Sequence, residues 1–214
     1  MVSEDPRTRE YYDGKARELA AAYEKADVTA LHSQILAWMP ANGRILDVGC
    51  GSGREAAFLL NHGRELLGLD GSLPMLDSAI ASHPELKGLV FQCEVSSVTN
   101  LPVKTSSFDG ILAIAFLMHL SEESLKLVLS EFSRMLKPGG KLFVSVQENK
   151  HGVHLNREEN GRFFLMKNRD FWRDMLSNSG FSIHAITSAS DGLGRRETLW
   201  VNLAGHKEVI RKTD

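Results

Sequence analysis

The sequence predicts a doubly wound α/β fold, a three-layer sandwich in which a mostly parallel sheet lies between helical layers behind an N-terminal helical cap. Three observations carry that expectation. Short apolar runs without polar alternation recur at Ile45–Val48, Leu66–Leu69, Leu89–Cys93, Ile111–Phe116 and Leu142–Val146, as in strands buried on both faces. Amphipathic stretches near Arg54–His62, Pro74–Ala81 and Glu122–Leu136 separate them, as crossover helices between parallel strands would. The first run passes through Gly49-Cys-Gly51-Ser-Gly53 directly into a helical stretch, the strand–turn–helix order of a ligand-binding unit.

The remaining elements follow in order. Leu19, Tyr23, Leu31, Ile35, Leu36 and Met39 recur at three- and four-residue spacing, so residues 1 to about 40 read as helices. Pro40 and Ala-Asn-Gly43 stop that pattern. After the core come a helix near Asn168–Asn178, Gly180 as its cap, and two strands near Phe181–Thr187 and Glu197–Leu203, with Asp191-Gly-Leu-Gly194 as turn material. Five parallel strands and a terminal pair would make a seven-stranded sheet with an antiparallel last strand. A plain open sheet fits the periodicity nearly as well. The expected organisation is one domain over 1–214: cap 1–40, ligand-binding core 43–147, and a C-terminal part, 148–214, with an insert over the site.

Bulk properties narrow the class. The 214 residues suit one domain, and 43% hydrophobic residues suffice for a core without metal or disulfide staples. A formal charge of −2, with no Lys/Arg run, does not call for nucleic acid or an anionic membrane. Cys50 and Cys93 lie in apolar stretches and suggest a reducing compartment. The charged opening lacks the form of a secretory apolar region, and the longest apolar run, Gly110–Met118, falls far short of the about 20 residues that span a bilayer. A cytoplasmic location is expected.

The glycine loop admits two ligands by its spacing alone. Gly51-Ser-Gly53-Arg-Glu-Ala56 matches the dinucleotide fingerprint, with Asp70 at the distance of a ribose contact. Asp47, however, stands at the loop mouth where a pyrophosphate would lie, and two anions repel there. A ligand carrying positive charge suits that carboxylate better.

Asp47-Val-Gly-Cys-Gly-Ser-Gly53 resembles motif I of the class I, Rossmann-like S-adenosylmethionine-dependent methyltransferases. Leu66-Leu-Gly-Leu-Asp70, Gly71-Ser-Leu-Pro-Met75, Glu94-Val95, Ser107-Phe-Asp109-Gly and Leu136-Lys-Pro-Gly-Gly-Lys-Leu-Phe143 are similar to the family's later motifs, in order, over about residues 43–147. The resemblance implies S-adenosylmethionine as cofactor. It implies that Asp47, Gly49, Cys50, Gly51 and Gly53 cradle the methionine half, and that Asp70 with Gly71 holds the ribose. Met75 would cover the adenine, Glu94 and the Val95 backbone would read its edge, and the Ile114 carbonyl would take the ammonium. Arg54 and Tyr12, or less readily Tyr11 or Tyr23, would take the carboxylate.

Methyl transfer needs mainly alignment of the acceptor at about 3–3.5 Å and a base only if the acceptor keeps its proton. His119, in Phe116-Leu-Met-His-Leu-Ser121 past the fourth strand, is the candidate base; capping or packing is its structural alternative. Motifs for planar amide nitrogens are missing, since the stretch reads Ile114-Ala-Phe-Leu; no Pro-Cys serves cytosine C5; and the fourth strand lacks the terminal aspartate of magnesium-dependent catechol enzymes. His151 and His154 in a polar stretch do not make a metal site with His119. Tyr11, Tyr12, Arg162, Phe163, Arg195 and Arg196 are expected to line an acceptor pocket beneath the cap and the 147–168 insert, and arginines there would favour an anionic small molecule. A non-catalytic cofactor-binding protein and an NAD-type oxidoreductase are the competing readings.

Overall fold

The computed structural model describes residues 5–94, 103–148, 157–195 and 198–209. Helices α1 (Pro6–Lys25) and α2 (Thr29–Trp38) precede β1 (Arg44–Val48), α3 (Arg54–Asn61), β2 (Glu65–Asp70), α4 (Leu73–Ser82) and β3 (Val90–Gln92). Then come β4 (Phe108–Ile114), α5 (Glu122–Met135), β5 (Leu136–Gln147), α6 (Arg169–Asn178), β6 (Phe181–Ser190) and β7 (Leu199–Lys207).

The seven strands run in the order β3-β2-β1-β4-β5-β7-β6. β1 pairs in parallel with β2 and β4, β2 with β3, and β4 with β5, whereas β7 runs antiparallel between β5 and β6. The sheet is open, with β3 and β6 at its edges, and the antiparallel β7 sets it apart from a plain open sheet. The chain winds one way from β1 to β3 and the other way from β4, so the carboxyl ends of β1 and β4 flank a crevice where such sheets bind ligands.

Side chains alternate across the sheet. Leu46, Ile111, Leu142 and Val144 pack with α5 and α6 residues such as Phe132 and Trp172. Ile45, Leu112 and Phe143 pack on the other face with Ile35, Met39 and Leu59. Apolar residues on both faces explain why these strands read as unbroken runs.

Local chemistry sets the boundaries. Asp5 and Ser72 accept the N–H groups of Thr8 (3.1 Å) and Met75 (3.3 Å) ahead of prolines in the first turn, and Ser121 and Asn168 cap α5 and α6 in the same way. β4 starts earlier than its apolar run and stops at Ile114, because Ala115 turns to φ +56°. β5 begins at Leu136, taking Lys137-Pro-Gly-Gly140 into the strand as an irregularity between the Phe108 and Gly110 pairings. Asp109 fastens three strand starts, accepting the Arg44 N–H (2.9 Å) and Lys137 Nζ (2.6 Å). No helix among the described residues is long and apolar enough to cross a membrane.

The cap is tied to the C-terminal half at several points. Trp38 Nε1 donates to the Leu142 and Gly205 carbonyls (3.1 and 3.2 Å), and the Asp27 N–H donates to Gly192 (3.1 Å). Thr8 Oγ1 accepts the Phe163 N–H (2.8 Å), and Arg157 pairs with Asp5. α1 and α2 therefore form a fixed roof over the carboxyl ends of the strands.

Candidate active site

Beneath that roof lies a cavity of about 660 Å³ that runs from the glycine loop to the turn between β6 and β7. Its volume falls within the range of about 300–1,000 Å³ typical of small-molecule sites.

The loop holds itself by backbone bonds, with Gly49 and Cys50 N–H donating to the Leu69 carbonyl (2.7 and 3.0 Å) and Gly53 N–H to Cys50 (2.9 Å). Gly49, Gly51 and Gly53 have φ of +73°, +51° and +78°, a region that favours glycine. Their reasons differ. A Cβ at Gly49 would stand 2.6 Å from Phe116, and one at Gly53 would stand 2.5 Å from Leu86. At Gly51 the nearest atom is the Met75 methyl at 3.6 Å, so that side of the loop stays open. Gly53 is thus a packing glycine outside the cavity wall, whereas Gly49, Cys50, Gly51 and Arg54 lie on it.

Three acids surround this half. Asp70 accepts the Gly51 N–H through Oδ2 (2.9 Å) and the Ser72 N–H through Oδ1 (2.8 Å). Burial pushes its pKa up, with those two N–H groups working against the rise. Asp47 is 2% exposed, and its Oδ2 has no hydrogen-bond partner among the described residues. Burial first, then the charges of Glu55 and Asp70, hold its carboxyl well above the usual range. Glu55 is paired with Arg54 (2.7 Å) and faces His32 (3.4 Å). An orphaned buried carboxylate oxygen, a loop open at Gly51 and an acid at the end of β2 fit a ligand with a cationic centre and a ribose diol. Burial also pushes the Cys50 thiol up, which makes it an inert wall residue.

The other expected residues divide. Gly71, Met75 and Ile114 lie on the wall. Arg54 does too, but its Nε is held by Glu55 and its Nη1 by the Tyr23 carbonyl, so it braces α1 rather than offering a free cation. Asp47 and Glu94 are outside the wall lining, and Glu94 pairs with Arg9. Val95, His151, His154 and Arg196 lie outside the described residues.

His119 and Tyr12 meet at the middle of the cavity. Tyr12 Oη lies 3.0 Å from His119 Nε2, and His119 Nδ1 lies 2.8 Å from the Phe163 carbonyl. A carbonyl only accepts, so Nδ1 carries the proton and Nε2 accepts the Tyr12 O–H. Burial lowers the His119 pKa to about 4, against the opposing pull of the Phe163 bond. Burial likewise raises the Tyr12 pKa. The pair is therefore neutral near pH 7, with the histidine in base form.

Beyond His119 the wall comes from Arg162, Phe164, Gln34, Arg195, Trp200 and Asn202. Tyr11 and Phe163 are not on it; Phe163 acts through its carbonyl, and Tyr11 stacks against Arg162 with the guanidinium 4.5 Å from its ring centre. Arg195 and the turn between β6 and β7 were expected, whereas Asp191, Trp200 and the polar residues Gln34 and Asn202 were not named as wall residues. The signal present was an asparagine inside the apolar run Leu199-Trp-Val-Asn-Leu203.

Residues 46–144 match the family described as a methyltransferase domain. The O-methyltransferase resE of Aspergillus sclerotiorum is 32% identical over 162 residues, which cover 72% of this chain and 60% of that protein. The chain spans less than two thirds of the length of the curated relatives it matches. The solved structure of 1,6-didemethyltoxoflavin-N1-methyltransferase from Burkholderia thailandensis, with bound 1,6-didemethyltoxoflavin and S-adenosylhomocysteine, superposes with a TM-score of 0.78 over 95% of this chain and 88% of that one, at 18% identity. The [4+2]-cyclase SpnF superposes at 0.76 over 97% and 98%, also at 18% identity. Joined to the strand order and the glycine loop, these matches identify residues 46–144 as a class I, Rossmann-like methyltransferase domain of the family that uses S-adenosylmethionine.

Proposed function

We propose that this chain transfers a methyl group to an oxygen, nitrogen or other nucleophile of a small molecule, with His119 as the proton acceptor. The observation that carries the reading is the continuity of one cavity, which has the glycine loop and Asp70 at one end and the Tyr12–His119 pair in its middle. S-adenosylmethionine supplies, when bound, a methyl group on a cationic sulfur that leaves as a neutral thioether. Asp70 would hold the ribose hydroxyls through the lone pairs that Gly51 and Ser72 leave open. Gly49, Cys50, Gly51, Gly71, Met75 and the Ile114 carbonyl would shape its bed, Asp47 would offer its unpaired oxygen beneath it and ionise only as a cationic ligand binds, and Glu94 with the Val95 backbone remains the proposed adenine-edge pair.

The chain's own groups handle the proton. His119 is fixed by the Phe163 carbonyl and kept neutral by burial, so Nε2 can take a proton. Tyr12 stands on Nε2 with its O–H, and is placed to hold an acceptor or pass its proton to the ring. α1 and the 157–165 segment cover the pair and keep bulk water from it.

Calorimetric titration with S-adenosylmethionine and, separately, NAD tests the reading. Micromolar binding of the first alone is expected, weakened about 10- to 100-fold in Asp70→Ala, since a hydrogen bond to a charged group is worth about 1.5–3 kcal/mol. NAD binding, or binding of neither, would return the loop to a dinucleotide or purely structural role. Binding without methyl transfer to any of a panel of phenols, amines and acids would favour a sensor, and a solved cyclase with this fold shows that the fold alone does not set the reaction.

A further inference from the structure

The two ends of the cavity are furnished differently. Near the glycine loop the titratable side chains are mostly acids, Asp47, Glu55 and Asp70, with Arg54 neutralising one of them. At the far end stand Arg162 and Arg195, each paired with a carboxylate, Glu158 and Asp191, and the phenol of Tyr23; both arginines, Tyr23, Asp191 and Asp27 are on the wall.

The protein holds all three in place and leaves part of Arg195 unused. The Arg162 side chain is only 11% exposed. It is held between Tyr11 and Phe164, 4.5 and 4.9 Å from their ring centres, and gives Nε and Nη2 to Glu158. The guanidinium also hydrogen-bonds the Tyr12 side chain. Asp191 fixes Arg195 by accepting its backbone N–H (3.0 Å), Nε (3.0 Å) and Nη2 (2.7 Å). Asp191 also takes Trp200 Nε1 (2.9 Å). Against a burial that alone would raise it, these bonds bring the Asp191 carboxyl down to about 2. Arg195 Nη1 keeps its hydrogens free among the described residues. The Tyr23 side chain is hydrogen-bonded to that of Tyr12, and its backbone carbonyl is pinned by Arg54. The two guanidinium groups repel each other, and both act on Tyr23. An anion between them would relieve the repulsion and accept the idle hydrogens.

We propose that Arg162, Arg195 and Tyr23 form an oxyanion subsite that holds a carboxylate or phosphate group of the methyl acceptor, which is therefore an acid. The inference rests on the methyltransferase reading above. Its three residues come from α1, the segment before α6 and the turn after β6, all outside the matched domain at 46–144. The chemistry has a second source, the cofactor's own carboxylate, and the test must separate the two.

Benzoate and inorganic phosphate, with benzamide as the neutral isostere of benzoate, would be titrated into the free protein and the protein loaded with S-adenosylhomocysteine. The subsite predicts that benzoate binds at least tenfold more tightly than benzamide. It further predicts that Arg195→Gln weakens benzoate about 10- to 100-fold, while S-adenosylhomocysteine changes by less than about twofold. Arg162→Gln should act alike, and Tyr23→Phe more weakly. Arg162 fills an aromatic slot, so its variant counts only where the thermal transition is retained; Arg195, 43% exposed, carries the test alone if it is not. Equal affinity for benzoate and benzamide, or no anion binding, overturns the subsite. So does a tenfold loss of S-adenosylhomocysteine in Arg195→Gln with 5′-methylthioadenosine unaffected, because the arginines then hold the cofactor carboxylate. Failure of the wild type to bind S-adenosylhomocysteine sinks the methyltransferase reading instead, and benzoate selectivity in the free protein still decides the subsite.

Discussion

The two halves of the cavity are built in different ways. The half beside the glycine loop is shaped by backbone: N–H groups of 49, 50, 51 and 72, a carbonyl at 69, and glycines in left-handed conformations, all within about 25 residues of sequence. The half beyond His119 is shaped by side chains brought from far apart, such as Tyr12, Gln34, Arg162, Arg195 and Asn202. Backbone architecture tolerates almost no substitution at its glycines. Side-chain architecture can be rewritten residue by residue without disturbing the sheet. One fold can thereby keep its cofactor bed while the acceptor changes, and the 18% identity to superposable enzymes of different reactions is what that division of labour predicts.

Gly53→Ala would break the first half. Its φ of +78° costs an L-residue about 1–2 kcal/mol, and its Cβ would enter Leu86 Cδ1 at 2.5 Å, for about 1–3 kcal/mol more. A stability loss of roughly 2–5 kcal/mol in urea unfolding is expected. Substituting Arg195 at the far end should cost far less. If Gly53→Ala left the unfolding midpoint unchanged, the rigid-loop half of the comparison would be wrong.

The second effect is smaller and depends on pH. The folded state lowers the His119 pKa from 6.5 to about 4. Below pH 6.5 the unfolded chain therefore binds a proton that the folded chain refuses. Stability from this residue is present above pH 6.5 and is lost as pH falls toward 4. The loss amounts to about 3 kcal/mol, at about 1.4 kcal/mol per unit. In His119→Gln that contribution is absent, so the stability gap between wild type and variant should shrink by about that amount from pH 7 to pH 4. A gap that stays constant would mean that the imidazole is solvated and not the neutral base assigned to it.

This division also explains what was legible in the sequence. The strand–glycine–helix unit, Asp70 and the strands could be read because each is local: an unbroken apolar run, a left-handed turn that favours glycine, an acid at a strand end. The terminal pair was read, but not that β7 inserts between β5 and β6, since pairing order is decided by packing at long range. Asp191 looked like turn material, yet it organises Arg195 and Trp200 at the cavity wall. Arg54 lies on the wall, and its bonds to Glu55 and the Tyr23 carbonyl are ones that no local pattern could announce. Gly53 has the family's spacing for a cradle, and the close packing of the loop against Leu86 and Ala79 at that position could not be read from it.

The smallest effect concerns the boundary between the halves. Tyr12 was expected at the cofactor carboxylate, and its hydroxyl instead meets His119 Nε2 at 3.0 Å. Tyr12→Phe removes one buried hydrogen bond and should lower stability by about 1 kcal/mol. The O–H is donated to the neutral ring and opposes its protonation. Without it the His119 pKa should rise from about 4 toward its ordinary value, which NMR titration of the ring can follow. Affinity for S-adenosylhomocysteine should change by less than about twofold if Tyr12 belongs to the acceptor side. A loss of tenfold or more, with the histidine titration unmoved, would place Tyr12 on the cofactor and shift the boundary one residue toward the outer half.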